Sequence, residues 1–286
     1  MSEIIYRTKE YFRLIQIGKC ISKHNRKQIM TSSMRSYFSE VIYEKSLLNA
    51  NSIINLIPNS NQDNYEEAQK YLDISSVASL SRNLIEIHNV FNYMCERGIS
   101  SDEFEFRFYL FSYHQHLSSE KIIATLGIPK STGYLAGYGL SYSQNMLLNN
   151  SIYISLSDGL KKEIQKGKKP FFFDRVRKRH SPISKEIESG IFNLLSNSVH
   201  SLPIGLFNNS SYPGDSHLDR SNLAFIALET SILYFSSVAL RYIKLRNKLS
   251  KILTSEDVFF IKEMTQNDNL MSWIKQRADL EDQHKI

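Results

Sequence analysis

Glycine and proline are scarce in this 286-residue chain, at 11 and 6 residues. That scarcity argues against an all-β sandwich or barrel, whose many tight turns consume both. Cysteine is nearly absent as well. Cys20 and Cys95 lie far apart in apolar-periodic stretches and belong to no CxxC or Cys/His cluster, which argues for a reducing compartment and against structural zinc. The first ten residues interleave charged and apolar side chains and hold no apolar core of signal-peptide length, so cytoplasmic residence is the expectation. A charge-free run of membrane length is missing too. The most apolar window, 223–240, contains Glu229 and several Ser/Thr residues, and Arg220 and Arg241 flank it. A carboxylate at mid-bilayer costs a few kcal/mol, so this window is expected to be a buried bundle helix, with no membrane partner.

What the chain has is apolar content of 42%, with 12% aromatics, enough to fill a sizeable core. The apolar spacing is helical almost throughout. It predicts helices over about 4–28, 32–57, 65–97, 101–117, 119–126, 130–148, 156–166, 184–201, 217–249, 255–265 and 269–284. Short polar side chains at 101–102, 155–158, 216–219 and 255–256 offer helix starts, while Pro58, Gly98, the 167–170 stretch, Pro203 and Pro213-Gly214 offer stops. The expected architecture is all-α: a multi-helix bundle forming one large domain over 1–286, with 1–64 as an N-terminal hairpin and 250–286 as a C-terminal extension. Stretches 59–64 and 208–214 read as exposed loops. The net charge of +6 permits a polyanionic partner without demanding one.

The stretch with the most chemistry is Ser81-Arg82-Asn83-Leu84-Ile85-Glu86-Ile87-His88. On a helix of about 100° per residue, Ser75, Arg82, Glu86, Asn89 and Tyr93 form a polar stripe, and Leu80, Leu84, Ile87 and Phe91 lie opposite. Arg82 and Glu86 are spaced for an i,i+4 ion pair. His88 falls about 120° from Arg82, toward the apolar face. One straight helix therefore does not aim both at one pocket. A kink, a reaching Arg or a second chain would have to bring them together; otherwise His88 is a core or boundary histidine.

Arg82-Asn83-x4-His88 on a helix of an all-α protein resembles the motif of the HEPN superfamily, helical domains found in many bacterial toxins and phage-defence proteins. The resemblance implies metal-free RNA cleavage at a composite site made by two motifs of a homodimer. It implies His88 as general base, Arg82 as phosphate clamp and Asn83 as a positioning group. A looser similarity runs over about 75–240. Ser81-Arg82-x3-Glu86 followed by Leu194-Leu195-Ser196-x3-His200 looks like uncharacterised bacterial helical proteins with Arg-x3-Glu and Leu-Ser-x3-His patterns. It implies a converging set of Arg82, Glu86 and His200; alternatively, His200 is a cation at a helix C-terminus.

Two other segments bear on nucleic acid. Residues 118–134 resemble a helix-turn-helix with the turn at Leu126-Gly127-Ile128, so that Lys130, Ser131, Thr132 and Tyr134 open a DNA-reading helix; a plain helical corner is the alternative. Residues 161–180 hold nine basic side chains, Lys161, Lys162, Lys166, Lys168, Lys169, Arg175, Arg177, Lys178 and Arg179, against Glu163 and Asp174, with Phe171-Phe172-Phe173 between them. Basic side chains that neutralise phosphates and aromatics that stack on nucleobases suit single-stranded nucleic acid. The alternative is a solvated basic loop pinned by buried phenylalanines. No cofactor is expected: Pro129 replaces the glycine that a phosphate loop needs before Lys130. No metal is expected either, because His114-x-His116 lacks further ligands. Two functions follow as expectations: a metal-independent, HEPN-like ribonuclease or RNA-binding effector in bacterial stress or phage defence, or a non-catalytic regulatory protein with DNA binding through 118–134.

Overall fold

A computed structural model describes residues 2–25, 33–57, 72–128, 139–171, 181–199 and 217–283. Among these the protein is all-α, with no strand. In chain order the helices are α1 (Ser2–Asn25), α2 (Met34–Leu56), α3 (Ile74–Cys95), α4 (Ser101–Leu126), α5 (Leu140–Leu148), α6 (Ser151–Ile154), α7 (Asp158–Gln165), α8 (Lys185–Val199), α9 (His217–Leu245), α10 (Ser255–Glu263) and α11 (Asp268–Gln283). A 3₁₀ turn (Asn247–Lys251) follows α9. The chain divides into two compact units, residues 1–91 with 180–286 and residues 92–179. The first junction lies inside α3, where the sequence carries neither proline nor glycine.

The first unit is built around α9. Its apolar run is the one helix among the described residues long and apolar enough to cross a membrane, and most of it is buried by neighbouring helices. Helices α1, α2 and α10 pack on it, with α11 beside it. Helices α1 and α2 also pack on each other, and α10 and α11 pack on that same helix α9. Gly18 makes the α1 crossing close: a Cβ there would stand 2.9 Å from Leu47 Cδ1 and 3.0 Å from Phe235 Cζ. Its carbonyl accepts a 2.9 Å hydrogen bond from the Tyr43 hydroxyl. Tyr43 in turn stacks on Tyr242 with centroids 4.4 Å apart.

Glu229, the carboxylate inside the apolar run, has a partner 222 residues away. The Arg7 guanidinium grips it with two bonds, Nε to Oε1 at 2.5 Å and Nη2 to Oε2 at 2.8 Å, and also reaches Glu10. Burial opposes the charge on Arg7, but the two carboxylates outweigh it and raise its pKa further. Two buried serines of α9 find partners as well. Ser231 bonds to the Ala227 carbonyl and to Ser81 of α3, and Ser236 to the Met264 carbonyl.

The second unit has its own core of Phe106, Leu110, Tyr113, Leu147, Tyr153 and Ile164, drawn from α4 to α7. The break expected near 118 is absent. Helix α4 runs unbroken to Gly127, because burial continues on both sides of Ser118 and Ser119: Leu117 packs on this unit's core and Ile123 is itself buried. The expected helix starts hold in position, though the caps sit one residue earlier for two of them. Ser100 accepts from Glu103 N, and Thr254 forms a reciprocal capping box with Asp257. Arg107 is buried in this unit and bonds to the Tyr93 carbonyl, Glu96 and Glu103.

Candidate functional site

Helix α3 places the opening motif. Its start is fixed by Asp73, whose carboxylate accepts from the Ser76 amide and hydroxyl. The Ser76 hydroxyl is the main reason the Asp73 pKa lies below the ordinary carboxylate value. From Leu84 onward almost every residue except Glu86 is covered, polar Asn89, Asn92 and Tyr93 included. Coverage on both sides turns the expected polar stripe into an interior one beyond its first two turns. Within the stripe Glu86 is exposed, and Ser75 and Arg82 are half-buried.

Arg82 donates from Nη2 to Glu86 Oε1 at 3.0 Å, with the side chains 32% and 48% exposed. Its guanidinium lies over the Phe192 ring of α8, 4.7 Å from the centroid. Asn83 turns elsewhere, donating to Asn49 of α2 at 3.3 Å. His88 is fully buried and meets Tyr234 of α9 edge to face, with ring centroids 5.2 Å apart. Tyr234 donates to Glu188 at 2.7 Å, and Ser181 donates to the same oxygen at 2.6 Å. Burial, and next the Glu188 carboxylate, push the Tyr234 hydroxyl upward in pKa, so it stays protonated. Arg82 and His88 therefore have different neighbours, α8 with solvent for one and α9 for the other. His200 lies outside the described residues.

Ser181, Glu188 and Tyr234 had no sequence signal, since the pairs that meet are separated along the chain and none belongs to a motif. The Arg7–Glu229 pair escaped for the same reason. A carboxylate in an apolar run does announce a buried partner, but not which one.

The basic segment divides by role. The second unit holds 13 Lys/Arg against 8 Asp/Glu, a net +5 of the chain's +6. Its α7 is capped by Ser157, and Ile164 anchors it in the core. Lys161 donates to the Ile154 carbonyl at 2.8 Å, and Lys169 pairs with Glu163 at 3.7 Å. Lys162, Lys166 and Lys168 are exposed and form no ion pair with any described residue. The turn that carries Lys166 and Lys168 is clipped to α4: Tyr113 donates to the Gln165 carbonyl at 3.1 Å and Lys121 to the Lys166 carbonyl at 3.0 Å. Gly167 supplies the left-handed φ of 71° that this turn requires. His114 also bonds to the Gly167 backbone; burial is the larger influence and lowers its pKa.

Phe171 does not face a ligand. It packs against Tyr93 and Phe111, at 5.3 and 5.7 Å between centroids. Arg175, Arg177, Lys178 and Arg179 lie outside the described residues, as do Lys130, Ser131, Thr132 and Tyr134 of the helix-turn-helix. Among the described residues no three His, Cys, Asp or Glu side chains gather in a metal-binding group. No family model, curated protein or solved structure matches this chain.

Proposed function

We propose that this protein is a HEPN-like helical RNA-binding effector that engages RNA through the basic face of its 92–179 unit. The observation that carries the reading is the charge. Five of six net positive charges fall in that unit, and Lys162 on α7 stands exposed together with Lys166 and Lys168 on the following turn, which is clipped to α4. Lysines held this way can replace counterions around phosphates without first breaking ion pairs of their own. The cellular setting implied by the resemblance, bacterial stress or phage defence, belongs to the same proposal, as does a homodimer that would present two such faces.

Cleavage receives less support than binding. A second copy of the chain could bring another Arg82 near, but His88 is buried within its own chain against Tyr234, where a ribose 2′-hydroxyl has no access. Incubation with labelled RNA in EDTA tests this. Intact RNA is the expected result; cleavage that disappears in His88→Ala would establish the enzymatic reading instead. Binding is tested by anisotropy of single-stranded RNA at low salt. Affinity that falls steeply with salt is expected, and no binding at about 50 mM salt overturns the proposal.

A further inference from the structure

The chemistry of the basic face goes further than its charge. Lys162, Lys166 and Lys168 are all ammonium groups, compact point charges with no planar fork to read a base edge. The described aromatics beside them are occupied within the unit. Phe171 packs on Tyr93 and Phe111, and the Tyr153 ring lies beneath the Lys161 ammonium, 6.0 Å from its centroid. Base stacking needs an exposed ring face, and hydrogen-bond readout needs amide or guanidinium groups beside it. Among described residues 158–171 the one ring, Phe171, is taken up by that packing, and the one side-chain amide, on Gln165, donates to the Tyr153 hydroxyl at 3.2 Å. The face offers ammonium groups on α7 and on the turn after it, where the Gln165 and Lys166 carbonyls are satisfied by Tyr113 and Lys121.

From this we infer that the face recognises a phosphate chain as such, with no reading of base or sugar. Its ligand class is a linear polyanion of phosphodiesters or phosphoanhydrides, to which RNA belongs by its backbone alone. The inference rests on the RNA-binding reading. The two fail separately.

The test is competition anisotropy on the full chain with a labelled 20-nucleotide single-stranded RNA. The competitors are DNA of the same sequence and inorganic polyphosphate with the same number of phosphates. Equal competition, within about threefold, is expected, as is a log–log salt slope of at least about −2 for three phosphates neutralised on a single strand. The triple variant Lys162→Glu, Lys166→Glu, Lys168→Glu is expected to lose affinity for all three polymers together, by tenfold or more, with an unchanged circular dichroism melt. RNA binding that polyphosphate and DNA fail to displace overturns the inference and leaves the RNA reading standing. Absence of binding to all three overturns both.

Discussion

At the scale of single residues, two Arg–Glu pairs show how context sets the worth of the same chemistry. Arg7 and Glu229 meet in the core with two parallel bonds, whereas Arg82 and Glu86 meet at the surface with one. Removing one partner of the buried pair leaves an uncompensated charge, so Arg7→Ala or Glu229→Ala is expected to cost about 3–5 kcal/mol in urea unfolding. Glu86→Ala is expected to cost under about 1 kcal/mol, because solvent screens the pair. An equal effect of both substitutions would contradict this ranking. Acid sensitivity follows from His114 and Asp73. The folded state holds the His114 pKa below the ordinary histidine value of 6.5, mainly by burial, so the unfolded chain takes up the proton first. Stability from this group is complete above that value and falls as pH drops below it. Asp73, lowered from 3.8 by Ser76, adds a second loss as pH falls through the carboxylate range. Thermal melts from pH 7.5 to 5 should show the first loss, and His114→Gln should flatten it.

Elements were largely legible in the sequence, because helix periodicity and capping are local properties. The spacing of apolar residues located α1, α2, α8, α10 and α11 to within a few residues of their observed ends. It split α4 at Ser118, since local propensity cannot register that Leu117 and Ile123 on either side are both covered by tertiary packing. It missed α6, a single turn too short to show a period. Crossings between elements were not legible. Gly18 reads as an ordinary glycine in a helix, yet it lets α1 approach Leu47 and Phe235. Gly18→Ala is expected to destabilise by about 1–3 kcal/mol despite the better helix propensity of alanine. A neutral or stabilising result in urea unfolding would show that the crossing yields. Thr254→Ala, which removes the hydroxyl half of the Asp257 capping box and leaves the backbone half, should cost about 1 kcal/mol by the same measurement.

For the molecule as a whole, charge is distributed unevenly along the chain, with one unit nearly neutral and the other strongly basic. Polyanion binding by the whole protein is therefore expected to follow substitutions on α7 and its following turn far more than Arg82→Ala. Matched anisotropy titrations of Lys166→Glu and Arg82→Ala check this, and a larger loss with Arg82→Ala would move the binding face to α3. The sequence by itself determined the helical class, most helix positions, the buried nature of the 223–240 window and the clustering of positive charge, because each depends on composition or on neighbours within a few turns. Tertiary structure decided which neighbour each polar side chain received. It gave Glu229 to Arg7, His88 to the edge of Tyr234 and Phe171 to Tyr93 and Phe111. Those outcomes depend on packing between residues far apart in the chain, and they separate the Arg82 and His88 that the sequence sets side by side.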